Sequence, residues 1–385
     1  MRIALVTETF PPEVNGVAMT LGRLCSGMAQ LEHEVRIVRP YQQGEDASEP
    51  FEFFGCSQLL IPGLPLPGYD GLSMGRPDIF RVYRNLKRWK PDILHISTEG
   101  PLGLASLVVA RILRVPVSST FHTNFHQYMS HYNYGFIRDL FWVYLRFTHN
   151  LCQCTLSPTS EMAKELQAEG FKGSGVLSRG VDTKLFNENR RNNELRKKWG
   201  VAPSEKAIVY VGRVASEKNI DLAIRAFEKI RSLDSSAKMV VVGDGPELDR
   251  LKADYPHIYY AGMQSGEDLA EHYASGDLFL FPSVTETFGN VVTEAMSSGL
   301  PVLTFDYAAG RQYIRQGENG YLAEFSNEFD FMEKAVSLYF LDNDMLRKIS
   351  SAAITTAQSI SWDRIVDVFV TTLKEIVEKD KKVSF

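Results

Sequence analysis

Short apolar runs alternate with helical patterns along most of the chain. Ile3 to Val6 is such a run, and it is followed by a helical pattern of apolar positions from Val17 to Leu31 and by a second run from Val35 to Val38. A strand, a helix and another strand in this order predict a βαβ unit and therefore a parallel sheet. Two further buried strands are predicted at 92–96 and 115–120.

A second strand and helix series begins at Ala207. Its predicted strands lie at 207–211, 239–242, 258–262, 278–281, 302–305 and 321–323. The glycine-rich segment from Gly170 to Gly180 separates the two series, and we expect the boundary between two domains there. A final amphipathic helix follows Trp362.

Three segments between the predicted strands have a distinctive composition. Residues 41–75 are rich in glycine and proline and predict a long loop with little regular structure. The helix predicted at 77–90 carries a basic surface, which indicates either a solvated face or contact with anionic lipid. Residues 125–147 are crowded with aromatic side chains, typical of an acceptor channel, a bilayer surface or a well-packed helix.

The composition limits the class of protein. The chain has 385 residues, which favours about two domains, with 44% hydrophobic and 23% charged residues, as in soluble globular proteins. Its net charge of −5 argues against a nucleic-acid partner, because phosphate backbones are bound by clustered positive charge. No apolar run reaches the length of a spanning helix. Four scattered cysteines and a strand that begins at Ile3 predict a reduced, cytoplasmic protein without a signal peptide.

Two patterns resemble metal ligands. Cys152 and Cys154 could form half of a metal site, but no second pair completes it, so we expect two buried strand cysteines. The run from Asp342 to Asp344 lies between two helical patterns and is better interpreted as a helix cap than as a metal motif. We therefore expect no metal site.

The segment from Phe281 to Gly299 carries the clearest candidate chemistry. It places Glu286 in the loop after a predicted strand and Glu294 in the second turn of the next helix. The backbone N–H groups of Phe288, Gly289 and Asn290 at the start of that helix favour an anion such as a phosphate. We expect the two carboxylates to bind sugar and ribose hydroxyls, because they would repel a phosphate. The alternative is a turn cap and a solvated helix residue.

Other candidate residues also follow predicted strands. Arg213 and Lys218 lie in one loop between a strand and a helix, where they suit a diphosphate. His122 comes just after a strand, at the edge where ligands bind in open α/β sheets. Gly16 at a helix start permits the close approach of a phosphate or sugar, although a plain turn glycine is an equal alternative.

Together these motifs resemble the retaining GT-B glycosyltransferases of family 4. The resemblance rests on Glu286 and Glu294 with their spacing, on the motifs 212–218, 243–246 and 179–182, and on the N-terminal motif 11–17. The motifs 98–103 and 121–125 are similar to the branch of GDP-mannose-dependent α-mannosyltransferases and sulfoquinovosyl or glucosyl diacylglycerol synthases. Arg179 stands where the family often has asparagine.

The resemblance implies an α/β fold with two Rossmann-like domains, each with a parallel sheet, that face a central cleft. Residues 1–175 would form the acceptor-side domain, 176–357 the nucleotide-sugar domain, and 358–385 a helix that crosses back to the first. It further implies that the chain moves a mannose- or glucose-type hexose from a GDP-sugar or UDP-sugar to a hydroxyl acceptor. The acceptor would be a membrane lipid or another compound, the configuration would be retained, and no metal or other cofactor would be needed.

The resemblance also implies roles for individual residues. Arg213 and Lys218 would hold the diphosphate, Glu294 the ribose, and Glu286 a hydroxyl of the donor sugar with help from the amides of 288–290. His122 would contact the sugar near its 6-position, Gly16 would approach the phosphates, and the backbone near Gly262 and Met263 would meet the base. The expected location is cytoplasmic, either free or peripheral at the inner face of the cell membrane.

Two rival functions remain open on the sequence alone. In a glycoside hydrolase, Glu286 and Glu294 would be the acid and base, which leaves Arg213 and Lys218 without a role. In a catalytically silent protein, the same residues would bind a sugar nucleotide without turnover.

Overall fold

The computed structural model describes residues 1–13, 15–41, 45, 53, 55–65, 73–121, 135–286 and 288–383. The chain divides into two compact units. Unit 1 comprises Met1–Arg179 together with Trp362–Phe385, and unit 2 comprises Gly180–Ser361. The sequence-based division placed these boundaries after residues 175 and 357.

Unit 1 contains a seven-stranded parallel sheet with strand order β3-β2-β1-β6-β7-β8-β9. The described strands of this unit are β1 (Arg2–Val6), β2 (Glu34–Pro40), β3 (Ser57–Ile61), β4 (Gly63–Pro65), β5 (Ser73–Gly75), β6 (Ile93–Ile96), β7 (Val117–Thr120), β8 (Cys154–Ser157) and β9 (Ser174–Val176). Its helices, numbered along the chain, are α1 (Gly16–Gln30), α2 (Ile79–Trp89), α3 (Pro101–Leu113), α4 (Gly135–Asn150), α5 (Ser160–Ala168) and the last helix, α14 (Trp362–Val383).

The central strands of this sheet are buried on both faces. All four residues of β6 and of β7 are buried, which agrees with a parallel sheet covered by helices on each side. On one side, α1 packs against α14, where Val366, Phe369 and Leu373 join Leu24 and Met28 in one apolar core. The last helix is thus part of unit 1.

The expectation of a long irregular loop at 41–75 is wrong at 57–61, 63–65 and 73–75, where the structure has strands, and most of its other residues lie outside the described ranges. Ser57–Ile61 forms β3, which pairs in parallel with β2 at the edge of the sheet, and β4 pairs with β5 in antiparallel fashion. The apolar residues Leu59, Leu60 and Ile61 are buried there. The many glycines and prolines around this run concealed a strand whose stability comes from its pairing with β2 rather than from local preference.

Unit 2 contains a six-stranded parallel sheet with strand order β12-β11-β10-β13-β14-β15. The strands are β10 (Ala207–Val211), β11 (Lys238–Val242), β12 (Tyr259–Gly262), β13 (Leu278–Phe281), β14 (Val302–Phe305) and β15 (Tyr321–Ala323). The helices are α6 (Asn193–Lys198), α7 (Ile220–Leu233), α8 (Leu248–Asp254), α9 (Gly266–Ala274), α10 (Asn290–Ser297), α11 (Ala308–Tyr313), α12 (Glu328–Tyr339) and α13 (Asn343–Ser359), with 3₁₀ turns at Glu188–Arg190 and Ser216–Lys218. All six predicted strands are present.

Smaller predictions have mixed outcomes. Asp342 is the N-cap of α13, and its side chain accepts a hydrogen bond from the Met345 amide, as predicted. Cys154 lies in β8, but Cys152 is buried in the turn before it rather than in a strand. All four cysteines are free. Among the described residues, no helix is long and apolar enough to cross a membrane.

Candidate functional site

The candidate donor site lies at the carboxyl edge of the sheet of unit 2. From β10 the strand order runs through β11 to β12 on one side and through β13 to β15 on the other. In open α/β sheets such a reversal leaves a crevice at the carboxyl ends of the two central strands, and ligands bind there. Arg213 follows β10, and Glu286 lies in the loop after β13. The sheet thus brings two predicted site residues to one crevice.

Lys218 and Glu286 form an ion pair across this crevice. Lys218 Nζ lies 2.6 Å from Glu286 Oε1 and also donates to the carbonyl oxygen of Thr285 at 2.9 Å. The hydroxyl of Ser283 donates to the same carboxylate oxygen at 2.8 Å. The two side chains are only 21% and 17% exposed, so the pair is fixed in position and screened from bulk solvent.

The backbone around Glu286 is held by residues that the sequence analysis missed. The hydroxyl of Tyr307 donates to the carbonyl oxygen of Glu286 at 2.9 Å, and the Ala309 amide donates to the carbonyl oxygen of Phe288 at 2.8 Å. The Phe288 side chain is buried. Tyr307 and Ala309 lie after β14, and only the pairing of β14 with β13 brings them next to this loop.

The start of α10 presents uncapped backbone donors. Gly289 adopts φ of 93°, which favours glycine, and no side chain caps the helix. Within the part of the chain that the structure describes, the N–H groups of Phe288, Gly289 and Asn290 donate to no acceptor. These groups, together with the helix dipole, favour an anion at this position.

Glu294 lies one turn into α10 in a less polar environment than Glu286. The hydroxyl of Tyr273 donates to its Oε2 atom at 2.9 Å, and Tyr273 is fully buried. Burial raises the pKa of Glu294 to about 7, although the hydrogen bond from Tyr273 acts in the opposite direction. A carboxyl group in this setting can accept further hydrogen bonds from hydroxyl groups.

Arg213 is the most exposed of the charged residues Arg213, Lys218 and Glu286. Its side chain is 65% exposed, and its Nη1 atom lies 3.1 Å from Glu217 Oε1. Its backbone is fixed, because the Tyr210 hydroxyl donates to its carbonyl oxygen at 3.2 Å. The guanidinium therefore keeps most of its five donors for a ligand.

A glycine loop supports the backbone of Arg213. The Val214 amide donates to the carbonyl oxygen of Asp244 at 2.9 Å. A Cβ atom on Gly245 would lie 2.3 Å from the carbonyl oxygen of Val214, and one on Gly243 would lie 1.9 Å from that of Gly212. Only glycine at these positions allows the two loops to pack so closely.

Gly262 and Met263, the predicted contacts for the base, follow β12. Gly262 ends the strand with φ of 70°, and its carbonyl oxygen accepts a hydrogen bond from the Gly243 amide at 2.8 Å. The Met263 side chain is 70% exposed. An apolar side chain at the carboxyl edge of a sheet offers a surface on which a planar base can pack.

In unit 1, the structure describes one of the two predicted site residues. Gly16 begins α1, where the Asn15 side chain already accepts from the amides of Val17 and Ala18. A Cβ atom on Gly16 would lie 3.1 Å from the guanidinium of Arg179. Arg179, which stands where the family often has asparagine, therefore places a cation beside this helix start. His122 lies outside the described residues.

The arrangement in unit 2 fits a sugar nucleotide in chemical terms. Arg213, Lys218 and the amides at the start of α10 offer positive charge and N–H donors, which suit a diphosphate. Glu286 and Glu294 offer acceptors for hydroxyl groups. A doubly wound sheet with such a site defines a nucleotide-sugar-binding domain of the kind found in glycosyltransferases.

Comparison with known protein families gives the same class. Residues 191–356 match the family described as glycosyl transferases group 1, and residues 14–185 match glycosyltransferase family 4. Together the two matches cover both halves of the chain.

Three relatives represent the branch indicated by the motifs. A GDP-mannose-dependent alpha-mannosyltransferase from Mycobacterium tuberculosis is 33% identical over 326 residues, 84% of this chain and 83% of the relative. The sulfoquinovosyl transferase SQD2 from Arabidopsis thaliana is 30% identical over 372 residues, 94% of this chain and 71% of the relative. An alpha-monoglucosyldiacylglycerol synthase from Streptococcus pneumoniae is 28% identical over 372 residues, 92% of this chain and 79% of the relative.

Solved structures show the same fold at low identity. Sucrose-phosphate synthase from Thermosynechococcus elongatus has a TM-score of 0.74 at 16% identity, covering 98% of this chain and 99% of that one. Anabaena HepE in complex with UDP has a TM-score of 0.73 at 18% identity, covering 97% of this chain and 100% of that one. The fold is therefore GT-B, as predicted. The chain belongs to the family 4 glycosyltransferases, and its activity is that of a nucleotide-sugar glycosyltransferase.

Proposed function

We propose that the protein is a retaining α-glycosyltransferase that moves a mannose- or glucose-type hexose from a GDP-sugar or UDP-sugar to a hydroxyl acceptor. The observation that carries the proposal is the Lys218–Glu286 pair beside the uncapped start of α10, at the switch point of the sheet of unit 2. It combines a cation and backbone donors for a diphosphate with a carboxylate for the sugar.

Each site residue has a role in this proposal. Arg213, Lys218 and the amides of 288–290 bind the diphosphate, and Glu286 accepts a hydrogen bond from a hydroxyl of the donor sugar. Glu294 accepts from the ribose, which its position beside Tyr273 supports. The base packs near Gly262 and Met263.

Two residues of unit 1 complete the assignment. Gly16 approaches the phosphates, which the neighbouring guanidinium of Arg179 supports because it adds positive charge at this helix start. His122 contacts the hexose near its 6-position, on the resemblance to the family alone.

The reaction requires a leaving phosphate that can carry charge. The bond between the anomeric carbon and the phosphate oxygen breaks, and a bond to the acceptor oxygen forms on the same face. The departing phosphate oxygen takes the proton of the acceptor hydroxyl, so no separate base is needed. Fixed cations and amides stabilise the charge that develops on this oxygen. Because Arg213 and Lys218 supply that positive charge, no metal or other cofactor is required.

The acceptor is a lipid or glycolipid at a membrane surface in this proposal. One relative is named an alpha-monoglucosyldiacylglycerol synthase, which supports a lipid acceptor. Helix α2 supports the idea, since Arg81, Arg84 and Arg88 line a surface depression of about 470 Å³ beside Phe80, which is 85% exposed. Helix α4 adds an exposed apolar row made of Leu140, Val143 and Phe147. A peripheral position at the membrane accounts for both surfaces.

The glycosidase alternative is less well supported. A glycosidase needs two carboxyl groups that act on one bond from opposite sides. Here Glu286 Oε1 already accepts from Lys218 and Ser283, and Glu294 is bonded to a buried tyrosine. Slow hydrolysis of the donor without an acceptor would argue against a silent sugar-nucleotide-binding protein.

The proposal is tested by removing the two cations separately. We expect Arg213→Ala and Lys218→Ala each to lower turnover about a hundredfold or more, because each removes a donor that stabilises charge on the leaving phosphate. Turnover is measured as consumption of GDP-mannose and of UDP-glucose, first without an acceptor and then with diacylglycerol vesicles. Calorimetry with GDP and UDP reports nucleotide binding independently of turnover.

Arg231→Ala is the matched control, because Arg231 is a partly exposed arginine on α7, away from the loops of the site. Near-normal turnover in both site variants would refute the assignment of the diphosphate. Absence of nucleotide binding in the unmodified protein would refute the proposed function as a whole.

A further inference from the structure

Unit 1 has its own topological switch point, and it lies between β1 and β6. From β1 the strand order runs through β2 to β3 on one side, and from β6 through β7 to β9 on the other. Glu8 follows β1, and Thr98 and Glu99 follow β6, so two carboxylates lie at the carboxyl edge where a ligand crevice is expected. The sequence analysis did not single out either glutamate.

The Glu8 carboxylate is held by backbone groups. Its Oε2 atom accepts from the Gly75 amide at 2.5 Å, and its Oε1 atom accepts from the Leu102 amide at 3.2 Å. A Cβ atom on Gly100 would lie 2.2 Å from the same Oε1 atom, so a glycine there makes room for the carboxylate. Among the described residues, no cation pairs with Glu8. The carboxylate is thus fixed in place and remains partly exposed.

Glu99 is held by a chain of buried side chains. Its Oε1 atom lies 2.9 Å from His149 Nε2, and His149 Nδ1 lies 2.8 Å from Ser119 Oγ. His149 is 1% exposed, whereas the Glu99 side chain is 14% exposed. Both ring nitrogens of His149 are therefore hydrogen-bonded, one to Glu99 and the other to Ser119. Within the described chain, the second oxygen of Glu99 makes no hydrogen bond, so it is open to a ligand.

Further polar groups belong to the same edge of the sheet. The hydroxyl of Tyr144 donates to the carbonyl oxygen of Glu99 at 2.7 Å. Burial raises the pKa of Tyr144, a hydrogen bond with Thr148 lowers it, and the charges of Glu99 and Glu8 raise it further. Ser97, the first residue after β6, is fully buried, and its Oγ atom has no hydrogen-bond partner in the described structure. An unpaired buried hydroxyl of this kind is normally satisfied by water or by a ligand.

The charge at this switch point selects the ligand. The corresponding edge of unit 2 carries Arg213 and Lys218 with their partners Glu217 and Glu286. At this edge the guanidinium of Arg179 lies beside Gly16 at the start of α1, but no described cation pairs with Glu8. Carboxylates accept hydrogen bonds from hydroxyl groups but repel phosphates and other anions.

We propose that Glu8 and Glu99 bind the hydroxyl groups of an uncharged polyol portion of the acceptor, and that His149 is a positioning residue that orients Glu99. This inference rests on the proposed function and adds the class of acceptor to it. The part of the acceptor that enters the site is a neutral sugar or glycerol group, and a phosphate on that part is rejected.

The test measures how the donor sugar is divided between water and an added polyol. Each enzyme variant consumes labelled GDP-mannose or UDP-glucose in water containing glycerol or, separately, glycerol 3-phosphate at the same concentration. In each case the bond from the anomeric carbon to phosphate breaks, a bond to water or to the polyol forms, and the acceptor proton passes to the released nucleotide. The ratio of glycosylated polyol to free sugar reports acceptor binding independently of the overall rate.

We expect the unmodified protein to glycosylate glycerol at least about tenfold more than glycerol 3-phosphate, because like charges disfavour the latter. At pH 8, where Glu8 is mostly ionised although burial raises its pKa to about 7, Glu8→Gln and Glu99→Gln should each lower the glycerol ratio about tenfold, since a charge-assisted hydrogen bond is lost. His149→Ala should resemble Glu99→Gln, and His149→Gln, which keeps a donor for Glu99, should recover part of the ratio.

Glu34→Gln is the matched control, because Glu34 is an exposed carboxylate at the opposite, amino end of β2. The proposal is overturned if glycerol captures no sugar from the unmodified protein, or if glycerol 3-phosphate is used equally well. It is also overturned if the variants lower total donor consumption without changing the ratio, which is the result of a purely structural role. Loss of nucleotide binding in the unmodified protein would instead contradict the proposed function.

Discussion

Glu286 and Glu294 carry the same carboxyl group in two different environments. Glu286 is paired with Lys218 and accepts from Ser283, whereas Glu294 has a buried tyrosine hydroxyl as its partner. Burial favours the protonated form of Glu294 and raises its pKa to about 7. The two residues therefore have different surroundings, although sequence alone treats them as a matched pair.

Donor binding should depend on the ionisation of Glu294. Its pKa is raised from 4.5 to about 7, so the folded protein holds this proton more tightly than the unfolded chain does. The free energy of unfolding of the ligand-free protein therefore falls as pH rises from about 4.5 to about 7. Ribose hydroxyls bind the ionised carboxylate, so we expect affinity for GDP-mannose or UDP-glucose to rise about tenfold between pH 6 and pH 8. Calorimetry measures this change, and the two phosphates of these sugar nucleotides do not titrate in the range.

Glu294→Gln should abolish this pH dependence. Glu8→Gln is the matched control, because burial raises the pKa of Glu8 to about 7 as well, but Glu8 belongs to unit 1 and is assigned to the acceptor. If Glu8→Gln removed the pH dependence and Glu294→Gln kept it, the ribose assignment would be wrong.

At the scale of elements, the sequence predicted the central strands of the sheets well and the edge strand β3 not at all. The apolar runs at 207–211, 278–281, 302–305 and 321–323 are strands with the predicted bounds, because central parallel strands are continuous apolar runs. The edge strand β3 was missed, since its stability depends on its pairing with β2 and not on its own pattern.

The candidate donor site was predicted as a set of residues but not as a geometry. Its residues follow strands, and the carboxyl edge of a parallel sheet collects them. The ion pair between Lys218 and Glu286 joins side chains 68 residues apart, and no local pattern encodes it. The support from Tyr307 and the buried chain from Glu99 to Ser119 depend in the same way on which strands become neighbours.

The glycine loop after β11 offers a test of how one loop positions another. Gly245→Ala places a methyl group 2.3 Å from the carbonyl oxygen of Val214, so the loop that carries Arg213 must move. We expect stability to fall by about 1 to 3 kcal/mol and donor affinity to fall with it. Thermal unfolding and calorimetry with UDP or GDP measure the two effects.

Gly317→Ala is the matched control, because Gly317 has a φ of 75° but no atom within 4 Å of the added methyl group. This variant should lose stability through backbone strain and keep its donor affinity. Equal donor affinity in Gly245→Ala and the unmodified protein would show that the packing of the two loops does not position Arg213.

At the scale of the whole molecule, the two doubly wound units carry different side chains at their switch points. The edge in unit 2 has Arg213 and Lys218, each paired with a glutamate, and the edge in unit 1 has Glu8 and Glu99, of which Glu8 pairs with no described cation. The same topology thus carries the proposed diphosphate site in unit 2 and the proposed polyol site in unit 1. The net charge of −5 conceals this division, and so does the equal number of acidic and basic residues, 16 of each, in residues 1–178.

The surface of unit 1 leads to a prediction about membranes. Arg81, Arg84 and Arg88 line one depression on α2, and Phe80 is 85% exposed next to them. A cation near an anionic bilayer contributes about 1 kcal/mol, so we expect the triple substitution to glutamine to weaken binding to phosphatidylglycerol vesicles about a hundredfold. Phe80→Ala should weaken binding by an amount that salt does not change, because the aromatic ring contributes by burial rather than by charge.

The control for this experiment removes the same charge elsewhere. Lys229, Arg347 and Lys348 are exposed in unit 2, and their substitution by glutamine should leave vesicle binding within about twofold of normal if the arrangement on α2 matters rather than net charge. Co-sedimentation at low and at physiological salt measures both triple variants. Equally weakened vesicle binding in both triple variants would show that net charge alone matters. Unchanged vesicle binding in the α2 variant would contradict a role for α2 and leave the exposed apolar row on α4 as the candidate for membrane contact. Because α2 and α4 both belong to unit 1, either positive result would bring the unit that carries the proposed acceptor site to the lipid surface.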